Sequence, residues 1–421
     1  MKKNILLKGP ILTRSGYGEQ ARFALRALRS RQDLFEIFIQ PIKWGATSWL
    51  VDNDEERAWI DQTIEKTIGY IHQGGNFDMA LQVTIPIEWE NLAATNIGYT
   101  AGIETTKVCH TWIERGNLVD NIIVVSNHSK QIYQNTKYVA NNQQTNEEIE
   151  FKLNTPISVV NYPVKTYNDL PSLGLDLDYD FNFLTVAQFG PRKNVHNTIK
   201  WFVEEFKDDK VGLIIKTNIA KNCLMDREKL FFDLKNMLAQ QHADRQCKIY
   251  LLHGDMTDEE MHSLYTHSKI EAFLALPHGE GFGLPIFEAA YSGLPVVATG
   301  WSGQLDFLVD EAGMEHFYNV TFDLQPVPDN VVWENVIIKE SMWAFPREQS
   351  AKQKMRLCYN QYVDSNTDAQ KVVDAPAYAE VLKQRFNEEK MYKTFIDALG
   401  IDEEEFNIES WIDSLDIEEI E

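Results

Sequence analysis

The sequence predicts an α/β protein built from two doubly wound domains, and three observations carry that prediction. Its 421 residues exceed what one ordinary domain of about 100–200 residues accommodates. Apolar, strand-like runs alternate with helix-spaced segments in two separate series, the pattern of largely parallel sheets covered by helices. Between the series, residues 162–180 form a stretch rich in Pro, Gly and Asp, a composition typical of linkers.

The first series runs through residues 4–10 (NILLKGP), 35–42 (FEIFIQPI), 78–85 (DMALQVTI), 96–104 (NIGYTAGIE) and 121–127 (NIIVVSN), with helical spacing over 19–29 and 55–71. The second is cleaner: strands at 181–189, 211–217, 248–254, 270–276 and 294–299, and helices over 195–206, 226–241, 258–267 and after Pro285. Five strands with four intervening helices make an open sheet, whose ligands bind beyond the carboxyl ends of the strands. Past residue 317 the pattern loosens into aromatic-rich loop. Two closing helices are predicted over 346–362 and 376–399, each opening with a proline, which a first helical turn tolerates. The resulting limits are 1–165 and 180–345 for the domains, 346–400 for the closing helices and 401–421 for a tail.

Composition excludes several classes. With 44% apolar and 11% aromatic residues the chain buries a sizeable core and is not a disordered polymer. No apolar run approaches the roughly 18 residues of a membrane span, and MKKNILLKGP reads as a strand rather than a cleaved leader, so a cytoplasmic protein is expected. Four scattered cysteines, with no CxxC pair, are expected to be buried thiols rather than zinc ligands or disulfides. The net charge of −23 is uneven. Residues 402–421 hold ten acids and no Lys or Arg, whereas the first 31 residues carry eight basic side chains against Glu19 alone. That bias allows an anion near the N-terminal domain. For Arg22, Arg26 and Arg29, at helical spacing, a solvated helix face is the expected reading.

The most informative string is HGEGFGLPIFEAAYSGLPVVAT, residues 278–299. Gly281 and Gly283 follow a predicted strand, and Pro285 opens a helix where a missing N–H does no harm. Such a turn aims backbone N–H groups and a positive helix end at an anion, and a diphosphate fits. Glu280 and Glu288 flank it, placed to accept hydrogen bonds from separate hydroxyls, as on a sugar and a ribose. Either glutamate alone is an ordinary helix-start charge; the whole string is not.

Residues 278–299 resemble the signature of the retaining GT-B glycosyltransferases grouped with glycosyltransferase family four, and the resemblance extends over roughly residues 181–308. It implies a GT-B fold, in which two Rossmann-like domains face a central cleft and C-terminal helices pack back. In that family the glutamate matching Glu288 holds the donor ribose and the one matching Glu280 contacts the transferred sugar. Groups matching Gly281, Phe282, Gly283 and Leu284 touch sugar and diphosphate. In TVAQFGPRKNV, residues 185–195, Lys193 matches a diphosphate-gripping lysine. Gln188 stands where the family has an Arg, and Arg192 either supplies that cation or is solvated. Lys216, at the end of its strand, points toward the cleft or is an ordinary exposed strand-end lysine. His253 and Gly254 end the third strand, where relatives place the nucleobase, although a lone histidine there is more often packed or hydrogen-bonded than a ligand contact. Gly16, Tyr17 and Gly18 match the glycine-rich loop that closes on the donor from the opposite domain. Residues 96–133 resemble a phage-encoded branch, with Glu104 on the acceptor side; the family histidine is absent, and His110 lies too far along to replace it.

The expected reaction is therefore retaining transfer from a nucleotide sugar, UDP- or GDP-linked, with Glu280 and Lys193 as catalytic residues. No cofactor or metal is expected, because the acids of DLDYD, 176–180, precede a strand rather than follow one. The acceptor expected is a glycan or a modified DNA base, the charge of −23 disfavouring tight duplex binding. Rival readings are a glycoside hydrolase using the two glutamates, a GT-B-like epimerase or phosphorylase, and a non-catalytic sugar-nucleotide binder, which Gln188 keeps open.

Overall fold

In the computed structural model, residues 2–45, 47–51, 54–141, 147–241, 244–364 and 373–401 are described. The expectation for the acidic tail lies outside them. No helix among the described residues is long and apolar enough to cross a membrane.

The first domain contains β1 (Lys3–Gly9), α1 (Gly16–Arg29), β2 (Phe35–Pro41), α2 (Glu55–His72), β3 (Met79–Val83), β4 (Thr95–Thr100), α3 (His110–Gly116), β5 (Asn121–Val124) and α4 (Asn127–Asn135). A hairpin, β6 (Lys137–Asn141) and β7 (Glu148–Lys152), and then β8 (Ile157–Val159) complete it. Its sheet has the order β2-β1-β3-β4-β5-β8, every neighbour parallel.

The second domain contains β9 (Asn182–Val186), α5 (Val195–Phe206), β10 (Gly212–Lys216), α6 (Leu224–Ala239), β11 (Lys248–Leu252), α7 (Asp258–Tyr265), β12 (Ile270–Ala275), α8 (Leu284–Tyr291), β13 (Val296–Thr299), α9 (Leu305–Leu308) and β14 (Tyr318–Val320). The sheet order is β11-β10-β9-β12-β13-β14, again all parallel. Its strands are near-continuous apolar runs because helices cover both faces; Val296 through Thr299 are all buried. In α5 the buried Val195, Ile199, Phe202, Val203 and Phe206 recur at helical spacing. Strand order reverses between β9 and β12, so the loops after these two strands, 187–194 and 276–283, open side by side at the carboxyl edge of the sheet.

The chain then forms an antiparallel pair, β15 (Phe322–Pro326) and β16 (Met342–Pro346), followed by α10 (Glu348–Val363), α11 (Ala375–Arg385) and α12 (Glu388–Ala398). Helix α10 packs on α5 and α11 on α8, but α12 crosses to α1. There Phe395 meets Phe23 and Tyr99 of the first domain at ring-centroid distances of 5.5 and 5.4 Å. The closing helices thus tie the two domains together through a shared apolar core.

Several sequence expectations need correction. Each main sheet has six strands rather than five, because β8 and β14 are three-residue strands too short for a periodic signal. The strand expected over 96–104 stops at Thr100. Pro346 closes β16 instead of opening a helix. The helix expected over 376–399 breaks at Phe386, where the side chain of Asn387 accepts the Lys390 N–H and caps a new helix. Cys223 is exposed. The three arginines of α1 do not form a solvated face. Arg22 is buried and donates to the carbonyls of Ile11 and Thr13. Arg26 makes a two-pronged pair with Glu56, at 2.7 Å for each bond, and Arg29 lies over the Trp59 ring. Packing of α12 and α2 against α1 covers what helical spacing alone presents as surface.

Candidate functional site

A cleft of about 880 Å3 lies between the domains, at the carboxyl ends of both sheets. In the loop after β9, Arg192 and Lys193 precede Asn194, whose left-handed backbone (φ 54°) turns the chain into α5. In the loop after β12, the Glu280 N–H donates to Ser302 Oγ at 2.9 Å. Gly283 then takes φ 95°, a conformation glycine adopts without strain, and Pro285 falls in the first turn of α8. No side chain caps this helix, so its positive end faces the cleft.

The two loops meet through charge. Lys193 Nζ lies 2.6 Å from Glu280 Oε1, and Arg192 Nη1 lies 3.1 Å from Glu280 Oε2 while donating to the Gly279 carbonyl at 2.7 Å. Arg192 Nε is 2.8 Å from Glu104 Oε2, which belongs to the other domain. Burial would raise the Glu280 pKa, but the charges of Lys193 and Arg192 outweigh it and hold the carboxyl below its ordinary value. At Glu104 burial wins over Arg192, and the pKa is raised. Burial likewise lowers the pKa of Lys193, against the pull of Glu280.

Bare backbone lets the walls touch. A Cβ on Gly281 would lie 1.9 Å from the Ala101 carbonyl oxygen, and one on Gly279 would lie 2.2 Å from that of Glu104. On the N-terminal wall, Tyr17 Oη is 2.7 Å from Thr100 Oγ1 and accepts the Ala101 N–H, and its ring lies tilted against Trp44 with centroids 4.2 Å apart. Gly16, Tyr17 and Gly18 occupy the first turn of α1, not a loop, because Ser15 Oγ accepts the Gly18 N–H and caps the helix. Gly16 and Tyr17 line the cleft; Gly18 packs against Thr13.

Glu288 stands one turn into α8 on the cleft wall and accepts the Tyr265 hydroxyl at 2.9 Å. Burial pushes its carboxyl up to about 7, with Lys165 and the Tyr265 bond opposing the rise. Lys165 itself bridges the domains, 2.8 Å from both Glu19 of α1 and Asp258 of α7. Gln188, Lys216, Gly254, Gly281, Phe282, Gly283 and Leu284 also line the cleft. Lys216 donates to the Gly254 carbonyl and Gln188 to that of Ile219.

His253 is not brought to the cleft. Its ring pairs with Asp226 at 3.0 Å, and Asp226 also accepts the N–H groups of Ile219, Ala220 and Lys221, so this histidine braces the start of α6. His110 is exposed beside Cys109 and away from the cleft. In the DLDYD stretch, Asp178 pairs with Lys248 and Tyr250. Sequence reasoning missed Lys165, Tyr265, Trp44 and Arg14, whose Nη1 reaches the Met256 carbonyl across the cleft. None of these sits in a motif; the basic bias of the first 31 residues was the one signal that touched Arg14.

Residues 176–315 match the family Glycosyl transferases group 1, the stretch that holds Lys193, Glu280 and Glu288. No curated protein sequence matches the chain. Among solved structures, sucrose-phosphate synthase from Thermosynechococcus elongatus is similar with a TM-score of 0.58 and 12% identity over 94% of this chain and 98% of that one. HepE from Anabaena, in complex with UDP and glucose, gives 0.57 and 14% over 94% and 99%. A glycosyltransferase from Rickettsia africae gives 0.57 and 13% over 94% and 98%. At these identities the likeness is one of fold: two Rossmann-like domains in the GT-B arrangement. The family match falls on the second domain, and the structural likeness spans both.

Proposed function

We propose that the chain is a retaining glycosyltransferase that moves a sugar from a UDP- or GDP-linked donor to a hydroxyl of a glycan or a modified DNA base, without a metal. The observation that carries this reading is the convergence of Lys193, Arg192 and the uncapped start of α8 around Glu280, at the point where strand order reverses. When the glycosidic bond to phosphate breaks, the sugar becomes cationic and the diphosphate anionic, and catalysis requires groups that favour both. Lys193, Arg192 and the helix terminus supply positive charge for the leaving group, taking the place a divalent cation fills elsewhere. Glu280, kept ionised by those same cations, accepts hydrogen bonds from the sugar and orients it. Glu288 serves the ribose, while Lys216 and Gly254 border the nucleotide.

Retention follows from attack on the face the diphosphate leaves, with a phosphate oxygen accepting the proton of the acceptor hydroxyl. No carboxylate of this chain then needs to act as nucleophile. The test is nucleotide release from a panel of UDP-, GDP-, ADP- and dTDP-sugars, with and without EDTA, followed by the anomeric configuration of the product by NMR. Release from one donor class, insensitive to EDTA and giving a retained anomer, is expected. An inverted product, or turnover abolished by EDTA, would overturn the mechanism; no binding of any nucleotide would overturn the donor site itself. For the acceptor, a steep loss of activity with salt favours DNA over a neutral glycan, since phosphate contacts release counterions.

A further inference from the structure

Glu104 is a partly buried acid at the edge of a site that has to receive an anion. Its segment follows β4 of the N-terminal domain, and the groups that face it come from the other domain: Arg192 in ion contact at 2.8 Å, with Lys193 and Glu280 beyond. Tyr17, on its own domain, is the remaining titratable neighbour and is held neutral by burial. A carboxylate in direct contact with a diphosphate would repel it, so a place behind a guanidinium is the arrangement that leaves the anion's path open. Arg192 occupies that place. Its backbone carbonyl accepts the His278 N–H at 2.8 Å, and its side chain is gripped on one side by Glu280 and the Gly279 carbonyl and on the other by Glu104.

We propose that Glu104 is a positioning residue for donor cleavage: reaching across the cleft, it fixes the Arg192 guanidinium toward the diphosphate, so that the leaving-group site is complete only while the two domains touch. This rests on the donor-site reading above and assigns Glu104 to the donor rather than to the acceptor. Without Glu104, Arg192 keeps only the Glu280 side of its grip and is drawn toward that carboxylate, away from the diphosphate. The bare Gly279, which leaves room for the Glu104 backbone, belongs to the same device.

The experiment is acceptor-independent release of UDP from UDP-glucose, or of GDP from GDP-mannose if the wild type prefers it, measured for Glu104→Ala, Arg192→Ala and the double variant. Glu104→Ala is expected to lower kcat about tenfold with little change in KM, and to cost nothing further in the Arg192→Ala background. Glu104→Gln, which keeps the shape and an accepting oxygen, should recover part of the rate. It also serves as the folding control, its thermal melt matching wild type. Release by Glu104→Ala at the wild-type rate, or an equal loss with and without Arg192, would overturn the inference while leaving the donor site standing. Failure of the wild-type protein to bind or cleave either donor would bring down the donor-site reading, and this inference with it.

Discussion

Glu280 and Glu288 stand at the two ends of one glycine turn, yet their surroundings hold them in opposite electrostatic condition. Around Glu280, two cations from the neighbouring loop lie within 3.1 Å and keep the carboxyl ionised below its usual range. Around Glu288, the direct partner is a neutral tyrosine hydroxyl, and burial raises the carboxyl to about 7. Lys165, the cation nearest to it, is shared between Glu19 and Asp258 and cannot compensate fully. The difference teaches what each end is suited for. A carboxylate locked with cations presents fixed charge to a reacting centre, whereas one poised near neutrality responds to the ligand that reaches it.

The strongest way to break this contrast is Lys193→Met, which removes the closest cation at the Glu280 end. Nucleotide release is expected to fall roughly 10²–10³-fold in kcat, the scale on which loss of one preorganised charge-stabilising group is felt. A loss under threefold would mean that Arg192 and the helix terminus suffice. At the other end, Glu288→Gln should weaken UDP or GDP binding by about tenfold, as expected when a hydrogen bond to a charged acceptor becomes one to a neutral group.

That second variant also tests the charge state. Ribose hydroxyls donate more strongly to an ionised carboxylate, so wild-type affinity should rise between pH 6 and 8, through the value of about 7, and titration calorimetry should find this rise missing in Glu288→Gln. Stability runs the opposite way. The folded pKa lies above the reference value of 4.5, so the folded state binds this proton more tightly than the unfolded chain. The contribution is fully present below about pH 4.5 and is lost as pH rises through 7, and Glu288→Gln should remove this component of the melting profile, a shift of roughly 2–4 °C. The smallest effect is expected from Tyr265→Phe. It removes a bond that favours the ionised form, so the pH dependence of binding should move upward and affinity at pH 7 should fall about threefold.

Much of the C-terminal half was legible. Five of the six strands of its main sheet alternate with helices in a readable pattern, and GEGFGLP couples a left-handed glycine to a proline-initiated helix, a combination whose geometry is local. Lys193 and Glu280 were singled out through the family resemblance, and the structure brings both to one edge because the strand order reverses between β9 and β12. The N-terminal wall was less legible for a physical reason. Its polar groups serve the fold: Tyr17 is committed to Thr100 and Ala101, and Arg22 to two carbonyls. A glycine-tyrosine-glycine run reads as a loop until Ser15 is seen to cap it. His253 misled in the same manner, since a histidine at a strand end looks like a ligand contact until Asp226 claims it.

Periodicity, turn chemistry and the glycine string, read from the sequence alone, determined that two parallel α/β domains form and that the second carries a glycine turn flanked by glutamates ahead of a proline-initiated helix. Tertiary structure alone decided the charge state of those glutamates and the partners of Arg192. The reason is that pairing and burial are set by groups far along the chain: Glu104 for Arg192, Tyr265 and Lys165 for Glu288, and α12 for the arginines of α1. Local patterns encode backbone geometry within a turn or two. Electrostatic environment depends on which distant segments the fold lays against one another.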